Sequence, residues 1–316
     1  GNLHPVVLEL IGQAKKLAAK VNYPIYGVMV GGKGTSENAA KMVEYGVDEV
    51  FVYEHEGFEG FRADCYADAA ADCISHLRPS VVLIGGTSLG RSLAPRLATR
   101  FHTGLTADCT KLEMRDNTDM VQIRPAFGGN IMAQIIITES RPQFATVRYK
   151  VMDKAQKAEH PAGKITLCKV ADSMLQSGIE VLSSKVLEHV KSIEEEDVLV
   201  VAGRGAVNAI DSLRELAGVL GGQLCFTRPM VEAGYGDTAH QIGLSGRTVK
   251  PKLILTFGVS GAIQFTACMD GSECIVAVNS DPEAPIFKIA NICVQDDLYQ
   301  VLPALLEELK NRKDGE

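Results

Sequence analysis

Two glycine-punctuated turns near the end of the chain carry the residues best suited to binding a ligand. Their sequences are Gln241-Ile-Gly-Leu-Ser-Gly-Arg247 and Gly258-Val-Ser-Gly-Ala-Ile-Gln-Phe265. The second turn follows the apolar run 253–257 and precedes a short amphipathic stretch, which predicts a strand, a tight turn and the start of a helix. Glycine lets the main chain approach a ligand, serine adds a hydroxyl group, and a helix N-terminus favours negative charge. The turns therefore predict a site for a phosphate or for the polar edge of a heteroaromatic ring.

Polar side chains in neighbouring loops extend this predicted site. The set comprises Arg228, Ser245, Ser260, Gln264, Asn279 and Asp297. Loops that follow parallel strands meet at the carboxyl edge of a sheet, which is where ligands bind in such folds. No pair of residues has the pattern of an acid–base couple, and the histidines show no His-x-x-x-His spacing. We therefore predict a pocket for a phosphorylated, planar cofactor, with no catalytic residue supplied by the chain.

An alternation of strand-like and helix-like runs must position these loops. Strands are predicted at 25–30, 49–52, 81–84, 165–170, 198–202, 253–256 and 274–278, and helices at 4–20, 36–45, 63–77, 88–100, 206–220 and 298–309. Short loops between alternating strands and helices predict an α/β fold, in which a mostly parallel, Rossmann-like sheet is covered by helices. Chains of this type usually open with a strand, whereas this one opens with a helix. We therefore expect either that the first strand lies upstream of Gly1 or that the domain starts unusually.

The segment 112–148 departs from this alternation. Its strand-like runs are 112–114, 120–124, 131–138 and 144–148. We predict that they form β-hairpins appended to the sheet of the first domain. Farther along, the charge cluster 194–197 precedes a new apolar start, so the predicted domains are 1–194 and a cofactor-binding domain at 195–316.

The composition excludes several classes of partner. The chain has 316 residues, a formal net charge of −7 and 46% apolar residues, and it shows no basic run for nucleic acid or an anionic membrane. No apolar run is long enough to span a bilayer, so no membrane insertion is expected. Its eight cysteines are scattered, without metal-ligand spacing, which favours a reducing, cytoplasmic location and argues against a metal site.

A glycine pair elsewhere suggests nucleotide chemistry. Gly203-Arg-Gly205 follows a predicted strand and opens a helix, as dinucleotide-binding turns do. However, Asn208 stands where a third glycine is expected, and no acidic residue lies about 20 positions farther on. This pattern argues against a standard NAD site and leaves Arg204 as a candidate phosphate ligand.

The run Gly86-Thr-Ser-Leu-Gly90 offers a rival, enzymatic interpretation. It matches the G-x-S-x-G turn that exposes a nucleophilic serine between a strand and a helix. Ser88 would then serve a serine hydrolase, with Asp108 and His160 as candidate partners. The other interpretation is a turn packed by small residues, followed by arginines on a helix surface, and we favour it because neither partner lies in a recognisable setting.

Five sequence motifs resemble one known family. They are Val231-Glu-Ala-Gly-Tyr235, Gln241-Ile-Gly-Leu-Ser-Gly246, Val259-Ser-Gly-Ala-Ile-Gln264, Val278-Asn-Ser-Asp-Pro-Glu-Ala-Pro-Ile-Phe287 and, in the first domain, Gly104-Leu-Thr-Ala-Asp108. On these residues, and over its whole length, the chain resembles the alpha subunit of electron-transfer flavoproteins. The resemblance implies a C-terminal domain that holds FAD against a beta subunit. It also implies that the heterodimer shuttles electrons between dehydrogenases and an acceptor.

The resemblance implies a role for each matching position. The implied FAD-binding residues are Arg204, Thr227, Arg228, Gln241, Ile242, Gly243, Leu244, Ser245, Ser260, Gly261, Ala262, Ile263, Gln264, Phe265, Asn279 and Asp297. Arg204 would lie by the pyrophosphate or ribityl part, and Arg228 over the isoalloxazine, where its charge favours the reduced, anionic flavin. The turn 242–245 would hold the edge of the ring. The turn 260–264 would bind the phosphates and ribityl chain, and the last two residues would reach the adenosine end.

Three departures from the family pattern affect this site. At Thr227 and Ser245 this chain has threonine or serine where the family has the other of the two, so the hydroxyl group is kept. Leu244 replaces a glutamine. Phe265 stands where the family usually has a histidine near the flavin pyrimidine carbonyl. Because a hydrogen bond to a charged group is worth roughly 1.5–3 kcal/mol, we expect an altered flavin potential.

Electron donors and acceptors are implied less specifically. The Pro-Ala-Phe-Gly-Gly-Asn run at 125–130 is similar to that of anaerobic, bifurcating members, which oxidise NADH at a second FAD in the beta subunit. Some relatives carry an extra N-terminal iron–sulfur domain. Whether such a domain precedes Gly1 is left open. Three hypotheses result: an electron carrier serving an acyl-CoA dehydrogenase or a similar flavoprotein, a serine hydrolase, and a scaffold without cofactor.

Overall fold

Helices alternate with mostly parallel strands in both halves of the chain, as the sequence predicts. A computed structural model describes residues 3–126, 131–183 and 192–313. Its contacts define two compact units, Gly1–Pro125 with Met132–Leu187, and Ala126–Ile131 with Glu188–Glu316. Most of the run at 125–130, which suggested the bifurcating members, lies outside the described residues.

The elements up to residue 167 form three small sheets. In chain order they are α1 Val6–Val21, β1 Tyr26–Gly31, α2 Thr35–Glu44, β2 Glu49–Glu54, α3 Ala63–Leu77, β3 Val81–Gly85, α4 Ser88–Arg100, β4 Leu105–Cys109, β5 Lys111–Met114, β6 Met120–Ala126, β7 Ile131–Ile135, β8 Gln143–Val147 and β9 Lys164–Leu167. Two parallel sheets have the orders β1-β2-β9 and β3-β8-β4. The third sheet, β5-β6-β7, contains the predicted hairpin, because β5 and β6 are antiparallel.

The prediction that residues 144–148 belong to an appended hairpin is wrong. Strand β8 lies between β3 and β4 and is parallel to both. All five of its residues are buried, so it lacks the alternation of apolar and polar residues that marks a half-exposed strand. The neighbouring strand β4 was not predicted, because it is short and the polar residues Thr106 and Asp108 interrupt its apolar pattern.

The second unit is built on one six-stranded parallel sheet. Its elements are β10 Val198–Ala202, α5 Ile210–Val219, β11 Gln223–Thr227, α6 Arg228–Glu232, β12 Gln241–Ile242, β13 Leu253–Phe257, α7 Ile263–Thr266, β14 Cys274–Asn279, β15 Ile292–Gln295 and α8 Leu298–Lys313. The strand order is β12-β11-β10-β13-β14-β15. The central β10 is apolar throughout and four of its five residues are buried, as expected of a strand covered on both faces.

Apolar clusters cover both faces of this sheet. One apolar cluster contains Leu213 and Leu216 of α5 and Leu302 of α8, and the other contains Met269 and Ile286. The predicted helix at 206–220 is divided, since a 3-10 turn at Arg204–Ala209 precedes α5. Burial of both faces fixes the sheet, so the loops at its carboxyl edge are held on a rigid support.

The cysteines are free thiols, and most of them are buried. Burial raises the pKa of the Cys73 and Cys109 thiols to about 12, which makes both poor nucleophiles. Across the described ranges, no group of three or more His, Cys, Asp or Glu side chains is placed to hold a metal ion. Among the same residues, no helix is both long and apolar enough to cross a membrane.

Candidate functional site

All sixteen predicted site residues lie at one edge of the six-stranded sheet. Each belongs to a strand end, or to the loop that follows it: Arg204 after β10, Thr227 and Arg228 at the end of β11, 241–245 at β12, 260–265 after β13, Asn279 at the end of β14 and Asp297 after β15. Because the strands are parallel, these positions share the carboxyl edge. The structure therefore assembles the set that the sequence predicts.

The strand order places a crevice at the centre of this edge. From β10 the chain proceeds outward to β11 and β12, then returns to the other side of β10 with β13. At this reversal the loops after β10 and β13 are held together, because Gly203 N–H donates to Phe257 O (2.9 Å) and Gly205 N–H to Gly258 O (3.2 Å). Such a reversal point is the usual ligand site of an open parallel sheet.

Glycine is required where these two loops touch. A side chain at position 203 would place its Cβ only 2.3 Å from the carbonyl oxygen of Gly258. Gly258 itself adopts a φ of +61°, in the left-handed region, and approaches the backbone of Gly205. The glycine pair at 203 and 205 therefore serves loop packing, and this contact sets Arg204 beside the turn 258–265.

The turn after β13 presents a run of unused hydrogen-bond donors. Within the described residues, the N–H groups of five consecutive residues have no acceptor: Val259, Ser260, Gly261, Ala262 and Ile263. By contrast, the carbonyl oxygens of Val259 and Ser260 are engaged, by the Nδ2 group of Asn279 (2.8 Å) and by Ile286 N–H (3.1 Å). A backbone that fixes its carbonyl groups and leaves its N–H groups free is suited to an anion.

Gly261 gives this turn its shape. Its φ is +86°, and a Cβ built there would lie 2.2 Å from the amide nitrogen of Ile286. That same amide holds Ser260 O, so the loop 284–287 supports the turn from behind. Only glycine meets both conditions without strain, since other residues rarely adopt this φ.

The turn after β12 is stabilised mainly by its own hydrogen bonds. Gly243 N–H donates to Arg247 O (3.2 Å) and Leu244 N–H donates to Gln264 O (2.9 Å), which ties this turn to the one after β13. The buried Gln241 donates from Nε2 to the hydroxyl oxygen of Ser245 (2.9 Å). In the described part of the chain, the N–H group of Ser245 has no acceptor. Ser245 therefore offers the turn's available main-chain donor.

Two arginines and a threonine face the same edge from β10 and β11. Arg204 is exposed, and among the described residues its guanidinium has no partner. Arg228 is also exposed, but its Nε donates to Glu232 Oε1 (2.7 Å), one helical turn farther along α6. Thr227 is the N-cap of α6, and its hydroxyl makes no hydrogen bond within the described ranges. This side of the crevice thus adds cationic and neutral donors.

Asn279 and Asp297 have structural bonds that the sequence did not reveal. Asn279 uses Nδ2 for Val259 O and Oδ1 for Asp281 N–H (3.0 Å), so it braces the turn after β13. Asp297 Oδ1 accepts from Tyr299 N–H (3.0 Å) and caps the N-terminus of α8. Their contact with a ligand stays a prediction, and their bracing role is observed.

Phe265 lies at the end of the second turn, in the apolar core. It is 6% exposed and packs in a cluster with Cys268, Met269 and Ile286. Its ring is therefore mostly covered by protein. Its effect on a flavin potential stays a prediction.

The surroundings of Ser88 do not support a hydrolase. Ser88 is the first residue of α4, which Thr87 caps by accepting from Gly90 N–H (3.1 Å). Asp108, the nominated acid, is ion-paired with Arg148 instead of with a histidine. Burial would raise the pKa of Asp108, but the Arg148 guanidinium, helped by neighbouring arginines, holds it below its ordinary value. The turn is explained by packing, because a Cβ at Gly90 would collide with Gly85 O.

Comparison with known proteins decides between the remaining hypotheses. The family described as electron transfer flavoprotein domain matches residues 1–173, and the electron transfer flavoprotein FAD-binding domain matches residues 192–270. The chain belongs to the electron-transfer flavoprotein alpha-subunit family. Electron transfer and an FAD-binding C-terminal domain are therefore confirmed as its family function, and the serine hydrolase finds no support.

Curated relatives cover nearly the whole chain. It is 49% identical to the lactate dehydrogenase (NAD(+),ferredoxin) subunit LctC of Acetobacterium woodii, over 100% of this chain and 77% of the relative. It is 40% identical to the electron transfer flavoprotein subunit alpha of Thermoanaerobacterium thermosaccharolyticum, over 99% and 96%. It is 34% identical to the acryloyl-CoA reductase electron transfer subunit beta of Anaerotignum propionicum, over 100% and 94%.

Proposed function

We propose that this electron-transfer flavoprotein subunit binds FAD at the carboxyl edge of its six-stranded sheet, with the sixteen residues named above. The observation that carries this assignment is the run of five free N–H groups at 259–263. A pyrophosphate needs several donors and positive charge, and this run together with Arg204 supplies both. The FAD-binding domain would then comprise 195–316, after a boundary near residue 194.

The remaining residues fit the other parts of the same cofactor. Thr227, Arg228 and Ser245 supply donors on the opposite side of the crevice from the turn after β13, where a polar ring edge would be held. The guanidinium of Arg228 would favour negative charge on that ring. When bound, FAD supplies the one- and two-electron chemistry, and the chain supplies binding, orientation and charge.

A beta subunit is the proposed partner, and together they would carry electrons between a donor and an acceptor. The proposed donor is NADH or a dehydrogenase, and the proposed acceptor is an acyl-CoA dehydrogenase or a similar flavoprotein. The relative LctC is named for NAD(+) and ferredoxin, which supports a version in which NADH oxidation is split between two acceptors. Eight free thiols support a reducing compartment, and we place the complex in the cytoplasm.

The test begins with co-expression of this chain and its beta subunit. Flavin absorption bands are expected in the purified complex, and Arg204→Ala is expected to weaken FAD binding about tenfold or more, because it removes a charge-assisted contact. Arg214→Ala is the matched control, since Arg214 is exposed and, among the described residues, pairs with Asp211 of the same helix. If both variant complexes bind FAD as tightly as the wild-type complex, the proposed site is refuted.

The electron-transfer role has its own measurement. Stopped-flow mixing with NADH, in the presence of a low-potential acceptor, is expected to bleach the flavin bands and reduce the acceptor together. Flavin that NADH does not reduce, but that a reduced acyl-CoA dehydrogenase does, would favour the simpler carrier and exclude NADH as the donor.

A further inference from the structure

We propose that Tyr299 is a positioning residue for Arg204, acting through the backbone of the 3-10 turn that follows β10. This inference rests on the proposed FAD site and deepens it, because it names a residue outside the sixteen that controls one of them. Tyr299 lies in the first turn of α8, at the last of the six loops on the carboxyl edge.

The tyrosine hydroxyl is bonded to the turn that carries Arg204. Its O–H donates to Gly205 O (3.0 Å), and Asn208 N–H donates to the same hydroxyl oxygen (3.4 Å). The turn comprises Arg204–Ala209, and the two contacts bind the hydroxyl oxygen to residue 205 near its start and to residue 208 near its end. Tyr299 is 44% exposed, which means that burial alone does not explain where its ring lies.

The position of Tyr299 is itself fixed from within its helix. Asp297 Oδ1 accepts from Tyr299 N–H (3.0 Å), and Asp297 O accepts from Val301 N–H (3.0 Å). A cap of this kind holds the first helical turn in place. Leu302, one turn farther along, is buried against the core that includes Leu213 of α5. The hydroxyl is therefore presented by a helix that is anchored at its start and along its length.

The other side of the turn is held by β13. Gly203 N–H and Gly205 N–H donate to Phe257 O and Gly258 O, as described above. These bonds fix the nitrogen of each neighbour of Arg204, and the Tyr299 hydroxyl fixes the carbonyl group of Gly205. The residues on both sides of Arg204 are thus restrained, whereas its own side chain has no partner in the described ranges.

This arrangement orders the backbone of Arg204 before a ligand arrives. A preformed backbone reduces the conformational freedom that must be lost when the guanidinium binds an anion. Removing the hydroxyl releases one face of the turn and leaves the helix, the cap and the two β13 bonds intact. The change should act on FAD affinity only while Arg204 is present.

The experiment is a double-mutant cycle in the co-expressed heterodimer, with FAD dissociation constants measured by fluorescence titration. The variants are Tyr299→Phe, Arg204→Ala and the pair together. Tyr299→Phe is expected to weaken FAD binding about fivefold, the effect of one neutral hydrogen bond. In the Arg204→Ala background the same change is expected to be within about twofold of no effect.

A matched control separates this effect from the general loss of a hydroxyl group. Tyr23→Phe removes a hydroxyl from a tyrosine of nearly equal exposure, 45%, in the other unit, and is expected to leave FAD affinity unchanged. Thermal melting of the FAD-free heterodimers shows whether Tyr299→Phe remains folded. Because phenylalanine keeps the ring, we expect a melting temperature close to that of the wild type.

The possible results separate the inference from the proposed function. Equal weakening by Tyr299→Phe in both backgrounds shows a merely structural role and overturns the inference. Weakening by Arg204→Ala with none by Tyr299→Phe also overturns it, and leaves the FAD site intact. If Arg204→Ala itself has no effect, the proposed pyrophosphate contact fails, and the inference fails with it.

Discussion

Replacement of Gly261 by alanine tests the cofactor turn most directly. The glycine has a φ of +86°, and a Cβ there would lie 2.2 Å from the Ile286 nitrogen and 2.5 Å from its Cα. Those atoms are backbone and cannot rotate away. The methyl group would also strike the N–H that holds Ser260 O, so that bond should break. Gly261→Ala is therefore expected to displace the five free donors.

The size of the effect follows from two terms. A non-glycine residue in the left-handed region costs about 1–2 kcal/mol, partly offset by about 0.4–1 kcal/mol from the less flexible unfolded chain. Forcing a methyl group into a filled space adds about 1–3 kcal/mol. We expect a loss of roughly 2–4 kcal/mol in the free energy of unfolding. Losing one N–H contact to a charged phosphate should raise the FAD dissociation constant about tenfold or more.

Gly60 provides the control that isolates the collision. It has the same φ of +86°, but within the described residues a Cβ there would meet a single atom, Val181 Cγ2, at the ordinary contact distance of 3.8 Å. Gly60→Ala should therefore cost about 1 kcal/mol, the backbone term alone, and should leave FAD affinity unchanged. The assays are denaturant unfolding and FAD titration of the heterodimer. If the two variants have equal free energies of unfolding and both bind FAD like the wild type, the role proposed for the turn after β13 is wrong.

Three further outcomes are expected. Asp108→Asn keeps a residue that tolerates the φ of +63° but removes the carboxylate that pairs with Arg148, so it should destabilise the protein by roughly 1.5–3 kcal/mol at neutral pH. Because the folded-state pKa of Asp108 is lowered, this stabilisation is present above the unfolded pKa and is lost as the pH falls below about 4, which acid-unfolding curves can check. Phe265→His should shift the one-electron flavin potentials measured by potentiometry, and identical potentials would contradict the role assigned to this position. Ser88→Ala should leave electron transfer unchanged. If the protein hydrolyses an ester and this substitution abolishes the hydrolysis, the interpretation of the turn as packing alone is wrong.

The sequence predicted the parts of the fold that have strong local signals. Helices 63–77 and 88–100 were predicted with their observed bounds, and so was the apolar strand 198–202. Strand β11, Gln223–Thr227, was missed because it is short and contains polar residues at both ends. Parallel pairing also leaves no local mark, so the placement of β8 inside a sheet could not be read from its sequence.

The site shows the same division between local and distant information. The expectation that loops after parallel strands converge at one edge is a rule of topology, and it indicated Arg228, Ser245, Ser260, Gln264, Asn279 and Asp297. The other ten residues were implied by the family resemblance. The bonds that occupy the turns are not visible in sequence, because Leu244 N–H finds Gln264 O only after two strands have paired. Glu232 shows the intermediate case: four residues from Arg228 on a helix, it could have been recognised as its partner by spacing alone.

The reversal of strand order at β10 bears on when the protein can acquire its cofactor. Arg204, Thr227 and Arg228 are synthesised well before β13, which adds the other wall of the crevice from residue 253 onward. A nascent chain that ends before this point would have cationic side chains but none of the five free donors. We therefore expect flavin uptake to occur late, after translation of the final segments, so that bound flavin reports a chain that is both complete and correctly paired.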